Sequence, residues 1–302
     1  MRAPGAWLAP AATAAALALS ACTIVDRVPT VVASFYPLAF VAERVAGPDW
    51  RVVDLTPPGT EAHDVELSLE DRAEIEDADV LLYLADIGFQ PQIEEAVADV
   101  SGRVVAAAEG LALGPPAEGG EAEGEEEHTE GSADPHAWLA PALFARMVDR
   151  VVDGFGAADP SDAAGYEDRA DTLRAELQAL DHAYRTELEG CPAGTMVVSH
   201  EAFRYLADAY GLEQMGLTGL SPEAEPTVER LGAAGEALEE GRATAVFHEA
   251  SDEARRIAES VAIDFGVPAL PLSTLESRPP SGDYLSVMED NLASLRRGLG
   301  CG

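Results

Sequence analysis

Residues 79–107 read DVLLYLADIGFQPQIEEAVADVSGRVVAA, and this stretch decides the fold. Two short β-rich runs, Asp79–Leu84 and Arg103–Ala107, enclose a helical stretch at Pro91–Val100. A strand, a helix and a second strand in that order form a βαβ unit, whose strands lie parallel in one sheet. The same alternation extends toward the amino terminus. Strands are predicted at Val31–Phe35 and Arg51–Leu55, and helices at Leu38–Val45 and Ser68–Ala78. Ser68 is placed to cap its helix, with Glu70 and Asp71 in the first turn.

A second series follows Cys191. Strand candidates are Thr195–Ser199, Thr244–Phe247 and Val267–Leu272. Helix candidates are Ala202–Tyr210, Thr227–Glu240, Glu253–Phe265 and Tyr284–Leu299. Between the two series, Pro160–Glu189 carries Tyr166, Ala170, Leu173, Leu177, Leu180, Tyr184 and Leu188 at steps of three or four. That is one apolar stripe on a helix about 40 Å long. The expected architecture is therefore α/β with two lobes, each a mainly parallel sheet flanked by helices, joined by one long rigid helix. Residues 22–158 form the first lobe, 159–189 the connector and 190–302 the second lobe.

The amino terminus points outside the cytoplasm. Residues 1–21 hold one positive charge, Arg2, then an Ala/Leu-rich run ending in Leu19-Ser20-Ala21-Cys22. A short apolar region with small residues before a cysteine predicts a lipoprotein signal peptide, with Cys22 acylated after cleavage. An uncleaved anchor needs about 20 continuous apolar residues, and Pro4 and Pro10 shorten this run. Acyl chains on Cys22 tether a protein to a membrane without a spanning helix.

A formal net charge of −36 excludes a nucleic-acid binder, which needs a basic footprint. With Cys22 assigned to lipid, Cys191 and Cys301 remain, and outside the cell two such cysteines are expected to pair as a disulfide. Residues 115–132, PPAEGGEAEGEEEHTEGS, are acidic and glycine-rich, a composition that predicts a disordered loop. His128 within it reads as an incidental histidine of a solvated loop or as a weak collector of cations.

Three other histidines stand where chain elements end: His63 in PPGTEAHD, His136 in ADPHAWLAP and His200 in VVSHEAF. Residues at loop and strand tips converge on ligands instead of packing in a core. Three neutral imidazoles and one carboxylate make a closed tetrahedral set suited to Zn²⁺. His182 falls off the apolar stripe and is expected in solvent. His248 reads as a rim histidine.

The phrases PPGTEAHDVELS, DPHAWLAP, SHEAFRYLADAYGL, GLSPEAEPT and GDYLSVMEDNL occur in that order and carry a resemblance. The chain resembles the zinc-uptake substrate-binding lipoproteins of ABC transporters, a cluster that also includes manganese-binding members. The acidic segment stands where that family has a histidine-rich loop. The resemblance implies His63, His136 and His200 as metal ligands. A third nitrogen donor at His200 favours zinc, since Mn²⁺ prefers oxygen-rich sites. Many relatives place an aspartate where this chain has Ser273. Zinc-type members resemble it in L-x-x-L-E, which implies Glu276 as the fourth ligand. Glu201 and Glu249 are candidates to orient a histidine through its second N–H.

The expected function is extracytoplasmic capture of Zn²⁺ and delivery to an ABC-type permease, by a monomer lipid-anchored at the cell surface or in the periplasm. The alternatives are a manganese or other divalent-metal binder of the same cluster, or a metal-dependent adhesin-like lipoprotein. An enzyme is not expected. Four protein ligands leave no position for an activated water, and the chain lacks His-Glu-x-x-His and Gly-x-Ser-x-Gly.

Overall fold

The computed structural model describes residues 27–114, 133–222 and 224–302. The signal segment 1–21, Cys22 and the acidic stretch 115–132 with His128 lie outside the described residues.

The first half contains β1 (Thr30–Ala33), α1 (Tyr36–Val45), β2 (Arg51–Asp54), α2 (Leu69–Glu76), β3 (Val80–Tyr83), α3 (Pro91–Ala96) and β4 (Arg103–Ala106). Its four strands are parallel in the order β2-β1-β3-β4. Two helices follow, α4 (Pro141–Ala158) and α5 (Ala163–Leu188). The second half contains β5 (Thr195–Val198), α6 (Arg204–Tyr210), β6 (Glu213–Gly216), α7 (Val228–Glu239), β7 (Val246–His248), α8 (Asp252–Phe265), β8 (Ala269–Pro271) and α9 (Tyr284–Gly298). Its strands are again parallel, in the equivalent order β6-β5-β7-β8.

Period-two alternation explains how each sheet buries both faces. On β1, Val31 and Ala33 join one core while Val32 joins another. On β5, Met196 and Val198 face one core and Val197 the other. The inner faces of both sheets meet a single continuous core that also takes in α1, α4, α5 and α9. Each outer face closes a smaller core of its own, with Ile75 and Ile93 in the first half and Leu238 and Ala258 in the second.

Helix α5 is 26 residues, about 39 Å long, and buries Tyr166, Ala170, Leu173, Leu177, Leu180, Tyr184 and Leu188. It is fixed near both ends. The Tyr166 hydroxyl accepts from the Trp50 indole at 2.9 Å and donates to Asp159 at 3.0 Å, while the Tyr184 hydroxyl donates to the Met288 carbonyl of α9 at 2.7 Å. It is not a lone strut: α4 packs along it, and α1 and α9 also touch it. A disulfide joins Cys191, just beyond α5, to Cys301, just beyond α9, with Cα atoms 4.6 Å apart.

Several elements differ from the sequence expectation. The stretch Pro91–Val100 is helical only to Ala96 and then tightens into a 3-10 turn, Val97–Asp99. The connector helix begins at Ala163 instead of Pro160, because Pro160–Asp162 form a separate 3-10 turn. Helix α4 had a legible signal: Pro141 in its first turn and Phe144, Met147, Val148, Val151, Val152 and Phe155 on one face. Strand β6, EQMG, has no apolar alternation and exists because β5 offers it an edge to pair with. Among the described residues no helix is long and apolar enough to cross a membrane.

Candidate metal centre

Parallel strands aim their carboxyl ends at one edge of a sheet, and in open α/β sheets ligands bind there. His200 lies two residues past β5, Glu249 directly past β7 and Glu276 five residues past β8. His63 sits in a 3-10 turn, Ala62–Asp64, after β2. His136 comes after β4 and precedes the 3-10 turn Ala137–Leu139 that leads into α4. The two sheet edges face each other, and these residues meet between them.

Glu276 Oε1 is the common point. It lies 3.8 Å from His63 Nε2, 3.5 Å from His136 Nε2 and 4.0 Å from His200 Nε2. The donor atoms of His63, His136 and Glu276 are all within 4.8 Å of one another. The rings of His63 and His136 are 5.6 Å apart and those of His136 and His200 5.5 Å. All four atoms are buried, and none has a hydrogen-bond partner. An unpaired buried polar atom costs about 1–3 kcal/mol, so four converging on one point mark a place built for a ligand. Donors about 2.0–2.1 Å from a tetrahedral Zn²⁺ lie about 3.3 Å from one another; the distances from Glu276 Oε1 to the three imidazoles are 3.5–4.0 Å, and His200 stands outside the tighter group of His63, His136 and Glu276.

The other side of each group is held. Asp134 Oδ1 is 2.8 Å from His136 Nδ1 and also accepts from the His136 backbone N–H at 3.0 Å. Glu249 Oε1 contacts His200 Nδ1 and accepts from the Ser199 hydroxyl at 2.8 Å. Both carboxylates are buried. A carboxylate on Nδ1 fixes the tautomer that leaves Nε2 free to coordinate. Glu276 Oε2 accepts from the Ala62 N–H at 3.0 Å, so only Oε1 is offered to the centre. His63 packs edge-on against Phe89, 4.7 Å away.

Burial and neighbours drive these groups apart in acidity. Burial lowers His63 to about 4, outweighing the pull of Glu276. Burial also disfavours charge on His136, but the hydrogen bond to Asp134 and the nearby carboxylates of Asp134 and Glu276 overcome it and raise the group to about 9. Glu276 is pushed up by burial and held below the usual carboxylate range by the three imidazoles. Burial raises Glu61 well above that range, aided by the charges on Glu276 and Glu249.

Glu201 does not orient a histidine. Its carboxylate pairs with Arg230 at 2.7 Å, and its side chain lies over Gly216, where a Cβ would come within 2.4 Å of it. Ser273 is also not at the centre: its hydroxyl accepts from the Leu275 N–H at 3.2 Å and its backbone is clamped by Asn291 on both sides at 2.8 Å. His182 is exposed, and His248 Nδ1 is 2.7 Å from the Glu249 carbonyl oxygen.

Sequence reasoning passed over Asp134, although it stands two residues before His136 in DPHAWLAP. It also passed over Leu275, whose φ of 56° makes it the one non-glycine with positive φ among the described residues. Nothing in the sequence signals that conformation, which costs about 1–2 kcal/mol for a residue with a Cβ. It turns the chain so that Glu276 enters the centre.

Residues 31–298 match the family described as ZnuA, zinc-uptake complex component A, periplasmic. The chain belongs to this family. It is 32% identical over 278 residues to the zinc-binding lipoprotein AdcA of Streptococcus pneumoniae, covering 88% of this chain and 55% of that protein. It is 31% identical over 286 residues to the high-affinity zinc uptake system protein ZnuA of Bacillus subtilis, covering 89% of this chain and 87% of the other. The chain thus spans about half the length of the streptococcal AdcA proteins it matches and most of the Bacillus family member. The structure also resembles that of a Zn(II)-bound variant of AdcAII from Streptococcus pneumoniae, with a TM-score of 0.77 at 27% identity, covering 90% of this chain and 98% of that one. Family membership accounts for the paired parallel sheets, and the converging donors sit where the two sheet edges meet.

Proposed function

We propose that this protein captures Zn²⁺ outside the cytoplasm and delivers it to an ABC-type permease. The observation that carries the reading is the set of four buried, unpartnered donor atoms from His63, His136, His200 and Glu276. Three nitrogens and one anionic oxygen suit zinc better than Mn²⁺, which favours oxygen-rich sites. Asp134 and Glu249 sharpen the imidazoles as donors and place negative charge behind two of them. The names of the Bacillus and streptococcal relatives support the same cargo, and that of the Bacillus relative supports the uptake role.

Four protein donors leave no position for a bound water, so the chemistry is binding and release, not hydrolysis. Residues 22–158 and 190–302 act as the two metal-binding lobes, with 159–189 as the connector. Acylation at Cys22 anchors the protein, a monomer, to the outer side of the cell membrane. The test is the metal content of the purified soluble domain from about residue 29, beside Glu276→Ala. One Zn²⁺ per chain in the parent and a marked loss in the variant are expected. A domain that takes up Mn²⁺ in preference to Zn²⁺, or an unaffected variant, would overturn the assignment.

A further inference from the structure

The segment that carries Glu276 starts in the second half and ends on the first. Behind Glu276 it is firmly held. Asn291 clamps the Ser273 backbone, and the Trp138 indole donates to the Thr274 carbonyl at 2.8 Å from a buried position. Ahead of Glu276 the chain is tied across the cleft. Ser277 Oγ accepts from the Gly59 N–H at 3.2 Å. Arg278 lies 4.9 Å from the Tyr36 ring centre, donates to Glu43 at 2.7 Å and approaches Asp54 at 3.7 Å. Between the two sets of ties stands Leu275, with its left-handed backbone.

A residue in such a conformation keeps it only while contacts on both sides over-determine it. The contacts behind are buried at Trp138 and partly buried between Asn291 and Ser273. The chief contact ahead is an ion pair that water reaches, since the Arg278 and Glu43 side chains are 38% and 42% exposed. With the exposed Ser277–Gly59 hydrogen bond, it forms the solvent-accessible side of the supports around Glu276, whose own Oε2 is held by the buried Ala62 N–H. His136 and His200 have no comparable weak side, being fully buried and backed by carboxylates.

We propose that Arg278 is a positioning residue that latches the Glu276 segment onto Tyr36, Glu43 and Asp54, and that opening of this latch sets the rate at which bound metal leaves. The proposal rests on Glu276 as a metal donor. Zinc carries its charge to Oε1, Arg278 holds the next turn of chain against the first half, and the two act on the same short segment. When Arg278 lets go, Leu275 is free to relax and Glu276 swings away, leaving three nitrogens.

The test is Zn²⁺ loss to an excess of a colour-forming chelator, followed by stopped flow, with the apo melting temperature measured alongside. Arg278→Ala should release zinc about 10-fold faster, the low end of what losing the outer support of a ligand costs. Its apo melting temperature should stay near that of the parent, because an exposed ion pair contributes little to the fold. Arg278→Lys should recover part of the retention by keeping the charge but not the fork. Glu43→Gln should speed release by less than Arg278→Ala, and it keeps the test sound if the alanine variant folds poorly. In a Glu276→Ala background, Arg278→Ala should add nothing. Unchanged release from Arg278→Ala, with Glu276→Ala damaging, overturns the latch and leaves the zinc site standing. Equal acceleration in the Glu276→Ala background also overturns it, since Arg278 would then join the halves without acting through Glu276. A silent Glu276→Ala would remove the four-donor site itself.

Discussion

The two halves share a strand order yet supply their donors differently. In the second half the groups come straight off strand ends: His200 two residues past β5, backed by Glu249 at the end of the adjacent β7. Strand register alone brings that histidine and its carboxylate together. In the first half, the equivalent strand β1 ends at Ala33, and the next residue, Ser34, has its carbonyl taken by Thr56 and Gln90. The donors come instead from loops, His63 on a short turn and His136 after β4. His136 draws its carboxylate locally, from Asp134 two residues away, whereas His63 has 22% of its side chain exposed. The difference teaches that a strand-end ligand is preset by the sheet, while a loop ligand is only as fixed as its own turn.

That contrast can be broken by mutation. The largest effects should come from the fully buried donors: His136→Ala, His200→Ala and Glu276→Ala should each weaken zinc by more than about 100-fold, the upper range for merely outer groups. His63→Ala should cost less, because solvent can reach its place. Titration of zinc against a competing chelator measures the series, and an equal loss at all four positions would erase the distinction between loop and strand ends.

Next come the backing carboxylates. Glu249→Gln and Asp134→Asn should each cost about 10–100-fold in zinc affinity. An intact affinity in Glu249→Gln would mean that strand register, not the carboxylate, orients His200.

The pH dependence sharpens the comparison within the first half. His63 sits at about 4, below the usual 6.5, so the folded apo protein holds fewer protons than the unfolded chain between those values. Stability from this group is therefore lost as pH falls from 6.5 toward 4. His136 sits at about 9, so its contribution is complete below 6.5 and lost as pH rises toward 9. Zinc must displace that proton from His136, so the zinc-induced rise in melting temperature should grow from pH 6.5 to 9. Affinity should also drop between pH 7.5 and pH 5. Calorimetry in two buffers of different ionisation enthalpy would show about one proton released at pH 7.5 if His136 is the charged one. No proton release would contradict this.

The smallest effects on zinc should lie away from the centre. Replacing Cys191 and Cys301 by serine should lower the stability of the fold by up to about 4–5 kcal/mol in the chain-entropy model, while zinc affinity holds. Glu201→Gln should leave affinity nearly unchanged, since its partner is Arg230 and not a histidine. A large loss in Glu201→Gln would mean that α7 bears on the site through Arg230.

Much of this was legible in one dimension. The βαβ alternation, the seven-residue stripe of α5 and the Ser68 cap all rest on local periodicity and local hydrogen bonding, which a sequence displays directly. Helix α4 was equally visible and was absorbed into the first lobe. Strand β6 was not visible, because its four residues carry no pattern and only an edge partner makes them a strand.

At the site, the sequence by itself put forward the candidate donors: three histidines at element ends and, through the family resemblance, one glutamate shortly past the last strand. Those are chemical identities, and chemistry is written in the residue. Only the tertiary structure decided which carboxylate backs which imidazole, that Glu201 turns to Arg230, and that Leu275 takes a left-handed turn to aim Glu276. The physical reason is distance along the chain. Glu249 reaches His200 across 49 residues, and Glu276 meets the Ala62 N–H across 214, so these contacts exist only once two sheets have been built and brought edge to edge.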